Sequence, residues 1–199
     1  MITLLAGLGL LWLVVYGLNL FPLFMPPTWM VLAFFYIKDD LPLIPTVIIG
    51  ATAATLGRVS LAYFSKRFIK PHLPIAQQLK FIALGNFIET KRIIALPLLM
   101  LFYAFSPIPS NQFFIAVGLI NTNLKLIGLS FFLGRLFSYC FWVTIAHKTF
   151  NNLELIFIDH ITNPWTYAFE IISFIVLYLV GNFLINRAMS YNHNHAHKV

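Results

Sequence analysis

The fold is decided by an arginine-bearing apolar stretch that occurs twice in the chain. The first copy reads Leu56-Gly57-Arg58-Val59-Ser60-Leu61-Ala62-Tyr63-Phe64, and the second reads Leu133-Gly134-Arg135-Leu136-Phe137-Ser138-Tyr139-Cys140-Phe141. Each copy places one arginine inside an apolar run long enough to cross a bilayer. An arginine at membrane depth costs about 2.5–3.5 kcal/mol on insertion scales, so such residues usually face a polar interior and mark a substrate or ion pathway. The two copies predict one site built from two halves.

The composition is typical of a membrane protein. Of the 199 residues, 60% are hydrophobic and only 10% are charged, whereas soluble domains carry about 25% charged residues. The net charge of +7 is not arranged as a basic stripe with interleaved aromatics, so no nucleic acid is expected as a partner. The basic residues instead end apolar runs, as topology determinants do. The single cysteine, Cys140, excludes a disulfide within the chain.

The apolar runs predict an all-α integral membrane protein with about four transmembrane helices, two inverted re-entrant helical hairpins and an interfacial amphipathic helix. The first transmembrane helix covers residues 1–20, and a core covers residues 21–146. Within the core we expect a re-entrant hairpin at 21–37, a span at 42–64, a cytoplasmic amphipathic segment at 65–92, a second re-entrant hairpin at 93–120 and a span at 124–146. A further span at 165–185 and a polar tail at 186–199 follow.

Prolines interrupt two apolar segments and predict the hairpin tips. Pro26 and Pro27 break the first segment, and Pro107 and Pro109 break the second. A helix that is broken by proline and continues for only two or three turns is too short to cross the bilayer. Each segment is therefore expected to return to the side from which it entered, with its tip buried in protein or lining a wet cavity.

The distribution of lysine and arginine orients these segments. With four spans and the amino end inside, the cytoplasmic segments 65–92, 121–125 and 186–199 hold nine Lys and Arg, against two in the external connections. This bias follows the positive-inside rule and predicts cytoplasmic amino and carboxyl termini. The first hairpin then enters from outside and the second from the cytoplasm, and Arg58 and Arg135 reach similar depths.

The two arginines are the principal candidates for substrate binding. Arg58 and Arg135 suit a phosphate head group, because a planar guanidinium can bind two oxygens at once. Their alternative role is structural, as clamps on hairpin carbonyls or as side chains that extend to the interface.

The other candidate residues lie at the tips and at the segment ends. Ser110, Asn111 and Gln112 at the second tip could contact the substrate, and their alternative role is to cap the half-helix that follows. Asp39, Asp40 and Glu89 are the candidate carboxylates for proton coupling; Asp39 and Asp40, next to Lys38, also suit a solvated turn.

With these residues in view, the chain resembles the DedA family, also called SNARE-associated or VTT-domain proteins. The likeness lies in Gly57-Arg58 and Gly134-Arg135 with the aromatics that follow them, and in the stretch Phe105-Ser106-Pro107-Ile108-Pro109-Ser110-Asn111-Gln112-Phe113-Phe114-Ile115-Ala116-Val117-Gly118-Leu119. In the family, this second stretch is the proline-containing tip and returning helix of a re-entrant loop. The resemblance covers residues 20–145, and its second half is the more specific.

The resemblance implies a membrane lipid transporter, either a flippase or a scramblase. Its substrate would be a phosphate-bearing lipid, undecaprenyl phosphate or a glycerophospholipid. Family members that depend on the proton gradient carry acids in the first hairpin, whereas residues 21–37 contain none. Two other classes remain: an ion or small-molecule exporter on the same scaffold, and a non-transporting membrane scaffold protein.

Further expectations concern chemistry and location. The sequence contains no phosphate-binding loop, hydrolase elbow or zinc-protease motif, so we expect no enzyme, no cofactor and no metal site. A homo-oligomer is left open. The length and the lack of organelle signals favour a bacterial inner membrane as the location.

Overall fold

The computed structural model describes residues 2–21, 26–90, 103, 110–120 and 122–149, and parts of residues 162–186. All secondary structure within these ranges is helical, and no strand occurs in them. The predicted all-α class is therefore confirmed. The predicted tip residues Pro107 and Pro109 and most of the polar tail, residues 187–199, lie outside the described ranges.

The helices with defined bounds are named in chain order. They are α1 Ile2–Leu20, α2 Thr28–Lys38, α3 Leu43–Phe64, α4 Ile75–Thr90, α5 Asn111–Leu119 and α6 Leu124–Thr149. A π-helical turn at Ser65–Ile69 and a short 3-10 turn at Lys70–His72 directly follow α3. The described residues between 164 and 186 are helical as well.

Local sequence explains where several helices begin. Pro27 and Pro42 directly precede α2 and α3, and both have the extended backbone that a residue before a helix adopts. Between these two helices the chain turns at Asp40, whose φ of 48° is in the left-handed region. At α6, the side-chain oxygen of Asn123 accepts hydrogen bonds from the backbone N–H groups of Lys125 and Leu126 at 3.1 and 3.3 Å, and so caps the helix.

Helix α3 is the centre of the described structure. It packs against α1, α2, α5 and α6. The small residues Ala51, Ala53 and Ala54 are completely buried along it, and Gly50 is buried beside Leu32 of α2. Small side chains let helix backbones approach closely, which is how helices associate where water does not drive apolar packing.

The short helix α2 packs against the long helix of the opposite half of the chain. The rings of Trp29 and Trp142 stack with their centroids 5.7 Å apart, and Tyr36 meets His147 edge-on at 5.1 Å. These contacts lie at the two ends of α2. The helix that follows the first proline tip is thus held along its length by α6.

The other short helix, α5, packs in the reciprocal way. Gly118 of α5 lies directly against the backbone carbonyl of Ala62 in α3, so close that a side chain at this position would collide with it. Helix α5 also contacts the π-helical turn that follows α3. Each short helix therefore packs on the long helix that carries the Gly-Arg motif of the other half.

The buried core is mainly apolar, but several polar side chains are buried within it and many large apolar side chains are exposed on the outside. Buried positions include Asn19, Thr46 and Arg58, whereas large apolar residues are exposed along the long helices, among them Leu10, Leu13, Ile44, Ile48, Leu129 and Phe137. Two segments, Leu43–His72 and Leu124–Lys148, are long and apolar enough to cross a membrane. These two helices favour membrane integration.

Helix α4 occupies most of the segment for which an interfacial helix is predicted. Its described side chains are mostly exposed, and the exposed set includes the apolar residues Ile75, Leu79 and Ile82. The side chain of Glu89, one of the candidate carboxylates, lies outside the described residues.

Candidate functional site

Arg58 lies in the interior of the helix bundle. Its side chain is only 6% exposed, and its Nη1 donates a hydrogen bond of 3.0 Å to the backbone carbonyl of Asn19 in α1. That carbonyl belongs to the last turn of α1, where carbonyls lack partners within the helix and the helix dipole favours a cation. Arg58 therefore also stabilises the end of the first helix.

The glycine that precedes Arg58 has a packing role. A Cβ atom at Gly57 would lie 2.8 Å from both the carbonyl oxygen of Tyr16 and the Cβ of Asn19. Only a residue without a side chain lets α1 approach α3 this closely. The Gly-Arg pair thus combines a close helix contact with a cation that reaches across it.

Asn19 connects Arg58 to the first proline tip. Its side-chain nitrogen donates to the carbonyl of Val15 at 2.8 Å and to the hydroxyl of Thr28 at 3.1 Å. Thr28 is the first residue of α2 and directly follows Pro26 and Pro27. Asn19 thereby contacts both α3, through Arg58, and the start of α2, through Thr28. Both helices are held to the same point of α1.

A double-mutant cycle tests this link. We expect Asn19→Ala and Thr28→Ala each to lower stability in detergent, and the double variant to lose about 1 kcal/mol less than the sum, because both changes remove one hydrogen bond. Thermal or denaturant unfolding of the purified protein measures it. The control pairs Asn19→Ala with Thr52→Ala, since Thr52 bonds to Ile48 within its own helix. Additive losses for Asn19 and Thr28 would show that the link has no energetic weight.

Arg135 lies on α6 between two aromatic rings. Its Cζ is 4.9 Å from the ring centroid of Phe131 and 5.3 Å from that of Tyr139. Residues four apart share one helix face, so the three side chains form a cation–π stack along α6. Arg135 is only partly buried, in contrast to Arg58.

The two arginines belong to one electrostatic environment. The charge of Arg135 acts on Arg58 through the interior of the bundle. Among the described residues, no carboxylate forms an ion pair with Arg58. A buried cation with a second cation in range, and with a backbone carbonyl as its hydrogen-bond acceptor, provides a strong field for an anion.

Helix α5 adjoins this pair through aromatic contacts. Phe114 of α5 meets Phe131 edge-on with centroids 4.9 Å apart, and Phe131 is one of the rings beneath Arg135. Tyr103 contacts the neighbouring Phe113 at 5.6 Å. The start of α5 is thereby fixed relative to the arginines.

The polar residues of the second tip are buried. Ser110, Asn111 and Gln112 are 2%, 4% and 8% exposed. Ser110 directly precedes α5, but its side chain makes no capping hydrogen bond. Within the described part of the chain, Ser110 Oγ and Gln112 Oε1 have no hydrogen-bond partner. For Ser110, the structure therefore does not show the capping role.

The remaining candidates are two prolines and two aspartates, together with residues outside the described ranges. Pro26 and Pro27 are half-buried directly before α2; their role in shaping a hairpin tip stays a prediction. Asp39 and Asp40 are exposed at the turn between α2 and α3, and neither bonds to Arg58. Their position is that of a solvated turn.

Two residues that the sequence analysis did not single out belong to this site. Asn19 is a lone amide near the end of an apolar run, and Tyr139 follows Arg135 by four residues. The helical spacing of Tyr139 is a signal that could have been read, whereas the contact of Asn19 with Arg58 joins positions far apart in the chain.

A scan against protein-family models and searches of curated proteins and of solved structures found no match for the chain.

Proposed function

We propose that the protein is an integral membrane lipid transporter of the DedA type, a flippase or scramblase that moves a phosphate-bearing lipid between leaflets. Its substrate is undecaprenyl phosphate or a glycerophospholipid. In this proposal four helices span a bacterial inner membrane, both termini are cytoplasmic, and two inverted re-entrant hairpins carry the helices α2 and α5. Arg58 and Arg135 attract the phosphate while the acyl or prenyl tails remain in the surrounding lipid.

The observation that carries the proposal is the buried arginine with a second arginine in electrostatic range. Arg58 is 6% exposed, lies on a helix able to cross a membrane, and has a buried Nε without a hydrogen-bond partner among the described residues. Two cations so placed repel a metal ion or an organic cation and favour an anion. A phosphate group offers several oxygens to the guanidinium forks.

The packing of the short helices supports the same reading. Helices α2 and α5 each pack on the long helix of the opposite half, and interlocked inverted repeats around a shared site would produce such contacts. Buried polar atoms at the second tip, Ser110 Oγ and Gln112 Oε1, add groups that could contact a polar head group.

Arg135→Ala tests the function directly. We expect translocation of fluorescent phospholipid or of undecaprenyl phosphate in proteoliposomes to fall at least about tenfold, the loss that follows when a charge-assisted hydrogen bond is removed. Arg135→Lys should retain part of the activity, because it keeps the charge but not the two-oxygen fork. The control is Lys125→Ala, an exposed cation at the start of the same helix.

The outcomes separate the proposed function from the alternatives. Unchanged lipid movement in folded Arg58→Ala and Arg135→Ala variants would reject the arginines as the head-group site. Movement of ions without lipid would point to an exporter. Loss of complex formation with no effect on translocation would point to a scaffold protein.

A further inference from the structure

Tyr139 occupies an unusual place for a tyrosine. It is 0% exposed and is among the largest completely buried side chains of the described structure. It packs in the apolar core with Val143 and Ala146 of the same helix. Its ring lies beneath Arg135, with the Cζ of that arginine 5.3 Å from the ring centroid.

The hydroxyl group of Tyr139 has no hydrogen-bond partner among the described residues. Buried tyrosine hydroxyls normally have one, and a hydroxyl buried without a partner destabilises the fold. Phenylalanine would supply the same packing and the same ring face to Arg135. Packing therefore accounts for an aromatic ring at position 139. It does not account for the hydroxyl group that tyrosine adds to that ring.

A second unpaired donor belongs to the same environment. Helices α3 and α6, which carry Arg58 and Tyr139, pack against each other, and the Nε of Arg58, like the Tyr139 hydroxyl, is buried without a partner in the ranges described. Both groups can donate a hydrogen bond, and the Nε can do nothing else. Two unpaired buried donors, one of them on a cation that has Arg135 in electrostatic range, favour an acceptor that carries negative charge.

We propose that Tyr139 is a ligand-binding residue, whose hydroxyl donates a hydrogen bond to an anionic phosphate oxygen that Arg58 Nε also contacts. This inference rests on the proposed function and adds a third donor to its site. The division of roles follows from exposure. Arg135, which is partly exposed, attracts the phosphate first, and the fully buried Tyr139 and Arg58 contact it once it has left water.

The conservative variant Tyr139→Phe separates binding from folding. We expect the ligand-free protein in detergent to unfold at the same temperature as the wild type or higher, because the change removes an unpaired hydroxyl and keeps the ring. The stabilisation that farnesyl phosphate or a short-chain phosphatidic acid gives the wild type should require about tenfold more ligand in the variant. Translocation in proteoliposomes should show the same shift in half-saturating lipid.

The matched control is Tyr16→Phe. The hydroxyl of Tyr16 bonds to Ser60 Oγ at 3.2 Å, so its loss should lower the unfolding temperature and leave the ligand response unchanged. The two tyrosines thus give opposite patterns. Titration with inorganic phosphate runs in parallel, and a response that depends on Tyr139 with phosphate alone would identify the free anion as a sufficient ligand.

The outcomes distinguish the role of Tyr139 from the proposed function. A wild-type ligand response in Tyr139→Phe with a reduced response in Arg135→Ala would overturn the role of Tyr139 and leave the proposed function standing. Wild-type responses in both variants would overturn both. If Tyr139→Phe does not fold, Tyr139→Leu, whose side chain also lacks a donor, replaces it in the same titrations, and a wild-type response there likewise overturns the proposal.

Discussion

Replacing Gly118 with alanine is expected to lower the unfolding temperature of the protein strongly. The new Cβ would collide with the carbonyl oxygen of Ala62, a backbone atom that cannot rotate away as a side chain can. Overpacking costs about 1–3 kcal/mol when side chains can adjust, and at this contact two helices must separate. Thermal unfolding in detergent and the monodisperse fraction after purification measure the effect.

Gly9→Ala is the matched control for this prediction. Gly9 lies on α1 with no described atom within 4 Å of the position where its Cβ would be. Alanine favours a helix by about 0.8–1.0 kcal/mol over glycine, so this variant should be as stable as the wild type or more so. If Gly118→Ala behaved like Gly9→Ala, the close contact between α5 and α3 would be wrong.

Replacing Arg58 with methionine is expected to reduce lipid translocation strongly while the protein stays folded. The change leaves the carbonyl of Asn19 without its donor, which costs about 1–3 kcal/mol. It also removes a buried charge that is repelled by Arg135, and apolar replacement of buried charges is often neutral or stabilising. These effects offset one another, so the unfolding temperature should change little while transport falls at least about tenfold.

Arg67→Met provides the comparison for Arg58→Met. Arg67 lies in the π-helical turn that follows α3 and is exposed. Arg67→Met is the same substitution of the same residue type in the same region of the chain. The difference is that Arg67 is exposed, whereas Arg58 is buried. A folded Arg58→Met variant that transports lipid at the wild-type rate would limit Arg58 to its structural contact with Asn19.

The helical class and the burial of Arg58 could be predicted from sequence because both follow from local patterns. An apolar run of a given length predicts a helix, and an arginine within it predicts an inward-facing side chain. The positions of Pro27 and Pro42 likewise predict where α2 and α3 begin. These inferences require only neighbouring residues.

The contacts that build the site could not be predicted in the same way. Arg58 bonds to Asn19, which is 39 residues away in the chain, and no periodicity connects the two. Ser110 shows that a local pattern can also predict a contact that is absent. Its residue type and position favour a capping hydrogen bond, but its side chain does not make one. Such outcomes depend on how helices pack, which only three-dimensional structure shows.

Each short helix packs on the long helix of the other half of the chain, and this arrangement has a consequence for biogenesis. When the ribosome has delivered α1, α2 and α3, the side of α2 that carries Trp29 still lacks its counterpart, because Trp142 follows Trp29 by more than a hundred residues. Until α6 has been synthesised, this side of α2 has no partner from the later half of the chain. A product truncated before α6 therefore leaves the Trp29 ring without its stacking partner.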